Sequence, residues 1–173
     1  MEVYLIRHTQ PQLSKGLIYG RKDLPLADSF QEELEAVLRS LPEDIDVVYS
    51  SPSQRCYLLA EAISSRVICD ERLFELNFGD WEGKTWDTID RKASEFWMED
   101  YMNRCPPAGE TMLEMKDRVE LWWEELKAAE HQKTVVVTHG GVIRLLMALA
   151  GQIAIENIWE RAISFGEVIY IRT

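Results

Sequence analysis

Short runs of consecutive apolar residues alternate along this chain with stretches whose apolar residues recur at helical spacing. Val3 to Ile6, "DVVYS" from Asp46, "VIC" from Val67 and "TVVVT" from Thr134 are brief and rich in β-branched or aromatic residues, which predicts strands. Their apolar positions are continuous rather than alternating, the pattern of strands covered on both faces. Between them, Phe30, Leu34, Val37, Leu38 and Leu41 mark one helical face, and Leu58, Leu59, Ala62 and Ile63 a second. Trp86, Ile89, Ala93, Phe96 and Trp97 mark a third, and Met112, Met115, Val119, Trp122, Trp123 and Leu126 a fourth; such aromatic and Met stripes are assigned to packing. The closing "RAISFGEVIYIRT" reads as two strands broken at Gly166, a hairpin at a sheet edge. This alternation predicts an α/β layer fold.

Length and composition add limits. With 173 residues, a 46% hydrophobic fraction and no repeat or linker, residues 1–173 are expected to form one domain with a substantial core. The first apolar run is too short for a signal peptide, and no stretch has the length a membrane-spanning helix requires, so a soluble protein without a membrane partner is expected. Thirty acidic against 19 basic residues give a formal net charge of -11, which repels nucleic acid in the absence of a basic run. Cys56, Cys69 and Cys105 lack the close spacing of a zinc or redox motif and are read as free thiols in a reducing cytoplasm.

The polar residues at the strand ends carry the chemistry. In an open parallel sheet the loops leaving the strand C-termini build the binding crevice. Arg7 and His8 leave the first predicted strand, "SSPSQR" leaves the second with Arg55 entering a helix behind an N-cap, and "THGG" leaves the "TVVVT" strand with His139. Parallel strands therefore gather two histidines and two arginines from three distant segments. Two guanidiniums offer forked, permanently charged donors to a tetrahedral oxyanion, which points to a phosphoryl group. A histidine among cations resists protonation and keeps a lone pair for attack on phosphorus, the role open to His8. A leaving alkoxide needs a proton donor, for which Glu75, Asp80 and Glu82 in "LFELNFGDWEG" are candidates.

Taken together, "RHT" at Arg7, "SSPSQR", "ELNFGDWEG" from Glu75, "PPAGET" from Pro106 and "VTHGGVIR" ending at Arg144 resemble the histidine phosphatase superfamily, also called phosphoglycerate mutase-like. The resemblance spans nearly the whole chain. It implies a three-layer α/β/α sandwich with a mostly parallel central sheet and a metal-free, cofactor-free reaction. His8 becomes transiently phosphorylated in this scheme, Arg7, Arg55 and His139 hold the phosphoryl oxygens, and Glu75 is the proton donor. Thr9 stands where Gly is commoner, and Ser14 where many members carry an Asn that touches phosphate. The stretch "GLIYGRKDLPL", with Tyr19 and Gly20, is similar to that of α-ribazole phosphatases of cobalamin assembly. Ser14, Tyr19, Gly20 and Gly140 thus join Arg7, Arg55 and His139 as substrate-binding candidates.

The other polar residues receive plainer readings. His131, in "AAEHQK", is a solvated helix-end residue, and Arg144 is left structural. Glu82 and Asp80 shape their loop, Arg21 and Lys22 are solvated loop charges, and Gly140 and Gly141 ease the strand-to-helix passage while leaving amide donors near an anion. The aromatic stretch Trp86 to Arg104 is expected beside the site, where it offers apolar contacts to an aromatic leaving group and a rim for a homodimer. The expected partner is a small phosphate monoester, with α-ribazole 5'-phosphate ahead of a broad-specificity phosphatase, a phosphoglycerate mutase or a non-catalytic phosphate-binding module.

Overall fold

The computed structural model describes residues 1–173. The "TVVVT" run becomes β4 (Lys133–Thr138), which lies at the middle of a five-stranded sheet and has its last five residues buried. It pairs in parallel with β1 (Glu2–Arg7) on one side and β2 (Val47–Ser50) on the other. β3 (Val67–Cys69) extends the sheet in parallel beyond β2, and β5 (Val168–Arg172) closes the other edge antiparallel to β1. The order is thus β3-β2-β4-β1-β5. β3, at its edge, is half-buried to exposed rather than covered.

Pleating divides the apolar residues between two layers of helix. Val3, Leu5, Val136, Ile169 and Ile171 pack against α4 (Met112–Ala128) and α5 (Gly140–Leu149). Ile6, Val48, Val135 and Val137 pack against α1 (Phe30–Arg39) and α2 (Gln54–Ile63) on the opposite face. The result is the three-layer α/β/α arrangement. The α4 stripe is legible in full: all six of its marked residues are buried, and a Thr111–Glu114 capping box fixes where the helix starts.

Three expectations need correction. On α2 the buried residues are Arg55, Cys56, Leu59 and Ala60, while Ala62 is exposed. A buried arginine turns the inward face away from the one that apolar spacing marks. The third predicted stripe is only partly core: α3 (Arg91–Glu99) has no buried residue, and Trp86 and Phe96 are 42% and 58% exposed. Ile89 does bury against Ile18 and Trp81. The C-terminus forms one strand, not a hairpin. The carbonyls of Arg161 and Ile163 are taken by the side chains of Arg144 and Arg7 instead of by a neighbouring strand.

Candidate active site

The parallel register sets Arg7 beside Thr138 and Ser50 beside Val137, so the residues following β1, β2 and β4 leave the same sheet edge side by side. His8 continues the ladder by donating its backbone N–H to the Thr138 carbonyl at 3.0 Å, and Ser51 N–H does the same to Val137 at 3.0 Å. His8, Arg55 and His139 are all fully buried there, with ring centroids of the two histidines 5.3 Å apart.

Arg55 organises this floor. Its Nη2 donates to the Gly20 carbonyl at 2.6 Å and reaches His139 Nδ1 at 3.2 Å, Nη1 donates to the Lys22 carbonyl at 2.9 Å, and Nε donates to His8 Nε2 at 3.3 Å. Gly20 lies at φ +39°, and a Cβ there would come within 2.6 Å of the Leu76 carbonyl, so the close approach that brings its carbonyl to Arg55 requires glycine. Tyr19 lies under the guanidinium, its ring centre 5.0 Å from Cζ. Asp23 accepts from Gln54 N–H at 2.9 Å at the start of α2. The N-cap Ser53 makes no side-chain cap bond, contrary to the cap that the serine run suggests.

The His8 ring is fixed in one tautomer. Its Nδ1 meets the Thr9 carbonyl at 2.8 Å, which can only accept, so Nδ1 carries the proton and Nε2 presents a lone pair to Arg55. Burial, then the Arg55 charge, push the imidazole down to about 3. It is neutral at any ordinary pH. Burial and the same arginine hold His139 well below the usual histidine range.

Arg7 completes the cup from one side. Its Nη1 donates to the Ile163 carbonyl at 2.6 Å, and Phe165 stacks on its guanidinium at 3.9 Å while lying 5.5 Å from the His8 ring. Arg7 Nε is buried with no partner, a donor left for an anion.

Glu75 stands on the other side, at the N-terminus of α5. Its carboxylate accepts from Gly141 N–H at 3.1 Å and from Leu76 N–H at 3.0 Å. A Cβ on Gly141 would collide with that carboxylate, so this glycine makes room for the acid and its amide serves Glu75 rather than a free anion. The Glu75 carbonyl accepts from Arg21 and Arg118 at 3.3 and 3.2 Å, and both arginines also bind Glu110 of "PPAGET". Arg21 is therefore a brace, not a solvated charge. Glu82 receives the backbone N–H groups of Arg21 and Phe78, as a loop-shaping residue does, and Asp80 is exposed.

Above the cup lies a cavity of about 190 Å³ whose wall is mainly apolar, with Tyr19, Phe78, Trp86, Met112 and Trp159 around Glu75. An exposed aromatic groove continues from it through Phe78, Trp86 and Trp159 to Trp97 and Tyr101. Gly140 begins α5 at the floor, a Cβ there lying 3.1 Å from Arg144 Nη1 and 3.6 Å from Arg7 Nε. Arg144 also lines the cavity, so it is not merely structural as read from sequence. A lone cation in the otherwise apolar helix "GGVIRLLMAL" is the signal that marks it. Ser14, by contrast, is not brought in. It is exposed, in a turn where its carbonyl accepts from Leu17 N–H at 3.2 Å, and Gly16 at φ +75° carries that turn outward. His131 is half-buried, 6.4 Å from the Tyr49 ring and away from the cup.

This arrangement brings a neutral imidazole, two guanidiniums, a second histidine and a carboxyl group to one sheet edge, a set suited to phosphoryl transfer. Residues 3–173 match the model of the histidine phosphatase superfamily (branch 1), and the chain belongs to that family: it is a phosphatase. Among its relatives, two Hydrogenobacter thermophilus proteins with phosphoserine phosphatase in their names are 32% and 27% identical over 167 and 170 residues. They cover 91% and 92% of this chain and 82% and 81% of their own lengths. The adenosylcobalamin/alpha-ribazole phosphatase of Escherichia coli is 30% identical over 178 residues, 96% of this chain and 87% of that one. The crystal structure of the alpha-ribazole phosphatase from Shigella flexneri superposes with a TM-score of 0.91 at 27% identity, over 99% of this chain and 90% of the other. No helix is long and apolar enough to cross a membrane.

Proposed function

We propose that this phosphatase hydrolyses phosphate monoesters through a phosphohistidine at His8, with α-ribazole 5'-phosphate as its leading substrate. Arg7, Arg55 and His139 hold the phosphoryl oxygens, and the unpartnered Arg7 Nε is available for one of them. The His8 Nε2 lone pair forms the new N–P bond while the P–O bond to the alcohol breaks and its electrons pass to the leaving oxygen. Glu75, as the carboxylic acid, protonates that oxygen. The resulting carboxylate takes a proton from water, whose oxygen attacks phosphorus, breaks the P–N bond and frees inorganic phosphate. Nitrogen, guanidinium and carboxyl groups supply every part of this sequence, so turnover is expected to persist in EDTA.

The observation that carries the substrate is the wall above the cup. Nine of the 13 residues lining the cavity are hydrophobic, and they continue into the aromatic groove. Such a wall suits the flat, apolar dimethylbenzimidazole of α-ribazole, whereas phosphoserine presents both an ammonium and a carboxylate. Arg144 favours a second reading, because it offers one cation to a substrate carboxylate such as that of phosphoserine, the substrate in the names of two relatives.

Comparing kcat/KM for α-ribazole 5'-phosphate, L-phosphoserine and 3-phosphoglycerate in EDTA separates these. Burial of a ring at the wall predicts a preference for α-ribazole phosphate on the order of 100-fold. A preference for phosphoserine would transfer the assignment to that substrate, and phosphoglycerate isomerisation without net release of phosphate would contradict the proposed hydrolysis.

A further inference from the structure

We propose that Ser51 is a positioning residue that lets His139 Nδ1 switch from acceptor in the free protein to donor when an oxyanion binds. The proposal rests on His139 being an oxyanion ligand, and it concerns how that ligand is prepared.

A neutral imidazole carries one N–H, and the two nitrogens of His139 face different partners. Nδ1 faces the cup, 3.2 Å from Arg55 Nη2, and Nε2 faces the fully buried Ser51, 2.8 Å from Oγ. Arg55 can only donate, so in the free protein Nδ1 holds the lone pair and Nε2–H donates to Ser51. A phosphoryl oxygen reverses the demand, because it can only accept. A lone pair on Nδ1 would repel it, whereas an Nδ1–H would bind it.

Ser51 permits the reversal because a hydroxyl both donates and accepts. Its Oγ accepts from Ser53 N–H at 3.3 Å, which leaves its proton free to turn toward His139 Nε2. With Ser51 donating to Nε2, the single ring proton sits on Nδ1 and points at the anion. The Ser51 backbone, tied to Val137, holds the hydroxyl in place. The alternative, uptake of a second proton, is opposed first by burial and then by Arg55 on α2, Arg118 on α4 and Arg7 at the end of β1, while the nearby carboxylates, Asp23 at 3.8 Å from Arg55 Nη1 and Glu75 on Gly141 N–H, are engaged with Arg55 and with α5. His8 and Cys56 also face it, the Cys56 Sγ lying 3.6 Å from Nε2 as a weaker partner than the serine.

The test is nitrogen NMR of the full chain labelled with ¹⁵N-histidine, with and without saturating sulfate, a dianion whose own charge is constant over the working range. His139 signals are assigned by their loss in His139→Gln. The expected result is a proton on Nε2 in the free protein and on Nδ1 in the sulfate complex. A bound state with the proton still on Nε2, or with both nitrogens protonated, overturns the switch and leaves the site intact. Sulfate that moves neither His139 nitrogen removes the oxyanion site, and the switch with it.

A second measurement follows sulfate affinity across pH 6 to 8. Ser51→Ala should weaken it about tenfold across that range, the worth of one buried hydrogen bond, because the neutral Nδ1–H tautomer that binds the anion then keeps an unpaired lone pair on Nε2. Ser51→Thr, which keeps the hydroxyl, should restore the affinity and the sulfate-induced move of the proton to Nδ1. Sulfate affinity in Ser51→Ala equal to that of the unaltered protein, or a loss that Ser51→Thr does not restore, contradicts the proposal.

Discussion

The floor of the site and its outer wall are built on opposite terms. On the floor, His8, Arg55, Ser51 and His139 are fully buried, and the side chains of Arg55 and both histidines are each fixed by at least one hydrogen bond to protein. The wall is Trp86, Phe78, Trp97 and Trp159 in loose aromatic contact, with Trp86 and Trp97 stacked 6.0 Å apart and Trp86 and Trp159 42% and 49% exposed. In a buried polar network each group left unpaired costs its full desolvation penalty. Apolar contact is graded and forgiving. The floor is therefore where the proposed chemistry resides, and the wall is where selectivity among alcohols can vary without disturbing it.

Substitutions test that division. His8→Ala should remove the nucleophile and lower kcat by about 10⁴-fold or more, and turnover near that of the unaltered protein would displace His8 from the mechanism. Arg55→Lys should cost on the order of 10²- to 10³-fold in kcat/KM, since an ammonium cannot reproduce the fork that spans Gly20, His8 and His139. Glu75→Gln should slow alkyl phosphates by roughly 10²-fold while nearly sparing activated aryl phosphates, which leave without a proton. Equal slowing of both would move the acid elsewhere. On the wall, Trp86→Ala should raise KM for an aromatic phosphate about tenfold and leave phosphoserine turnover unchanged; a matching fall for both would merge wall and floor into one unit.

The smallest effect is on stability. Folded His8 titrates at about 3 against an ordinary 6.5, so below pH 6.5 the unfolded chain binds a proton that the folded chain refuses. The stability this histidine allows is complete above pH 6.5 and drains as pH falls toward 3. His8→Asn lacks that drain. The stability of the unaltered protein relative to the variant should fall by about 1.4 kcal/mol for each unit below pH 6.5, read from urea melts. A pH-independent difference would mean that His8 is solvated.

Sequence reading reached the floor because its residues sit immediately after strands whose apolar runs are unmistakable: β1, β2 and β4 end at Arg7, Ser50 and Thr138. It reached α4 because burial there follows the helical period without exception. It failed where a polar group does a structural task in place of an apolar one. The inward face of α2 was hidden by Arg55, whose charge is satisfied by carbonyls 33 and 35 residues away. The irregular stretch before β5 looked like a strand, since nothing local shows that Arg7 and Arg144 claim its carbonyls. Ser51 passed as part of a capping run, and Ser14, placed by likeness to relatives, turned outward.

The central claim is that the lone pair on His8 Nε2 attacks phosphorus. Its most direct measurement is rapid mixing with a ³²P-labelled substrate, quenching in alkali, where phosphohistidine survives, and mapping of the labelled peptide. The account predicts stoichiometric label on His8 that acid removes and that His8→Ala never acquires. Turnover without any protein-bound label, or label on another residue, would contradict it.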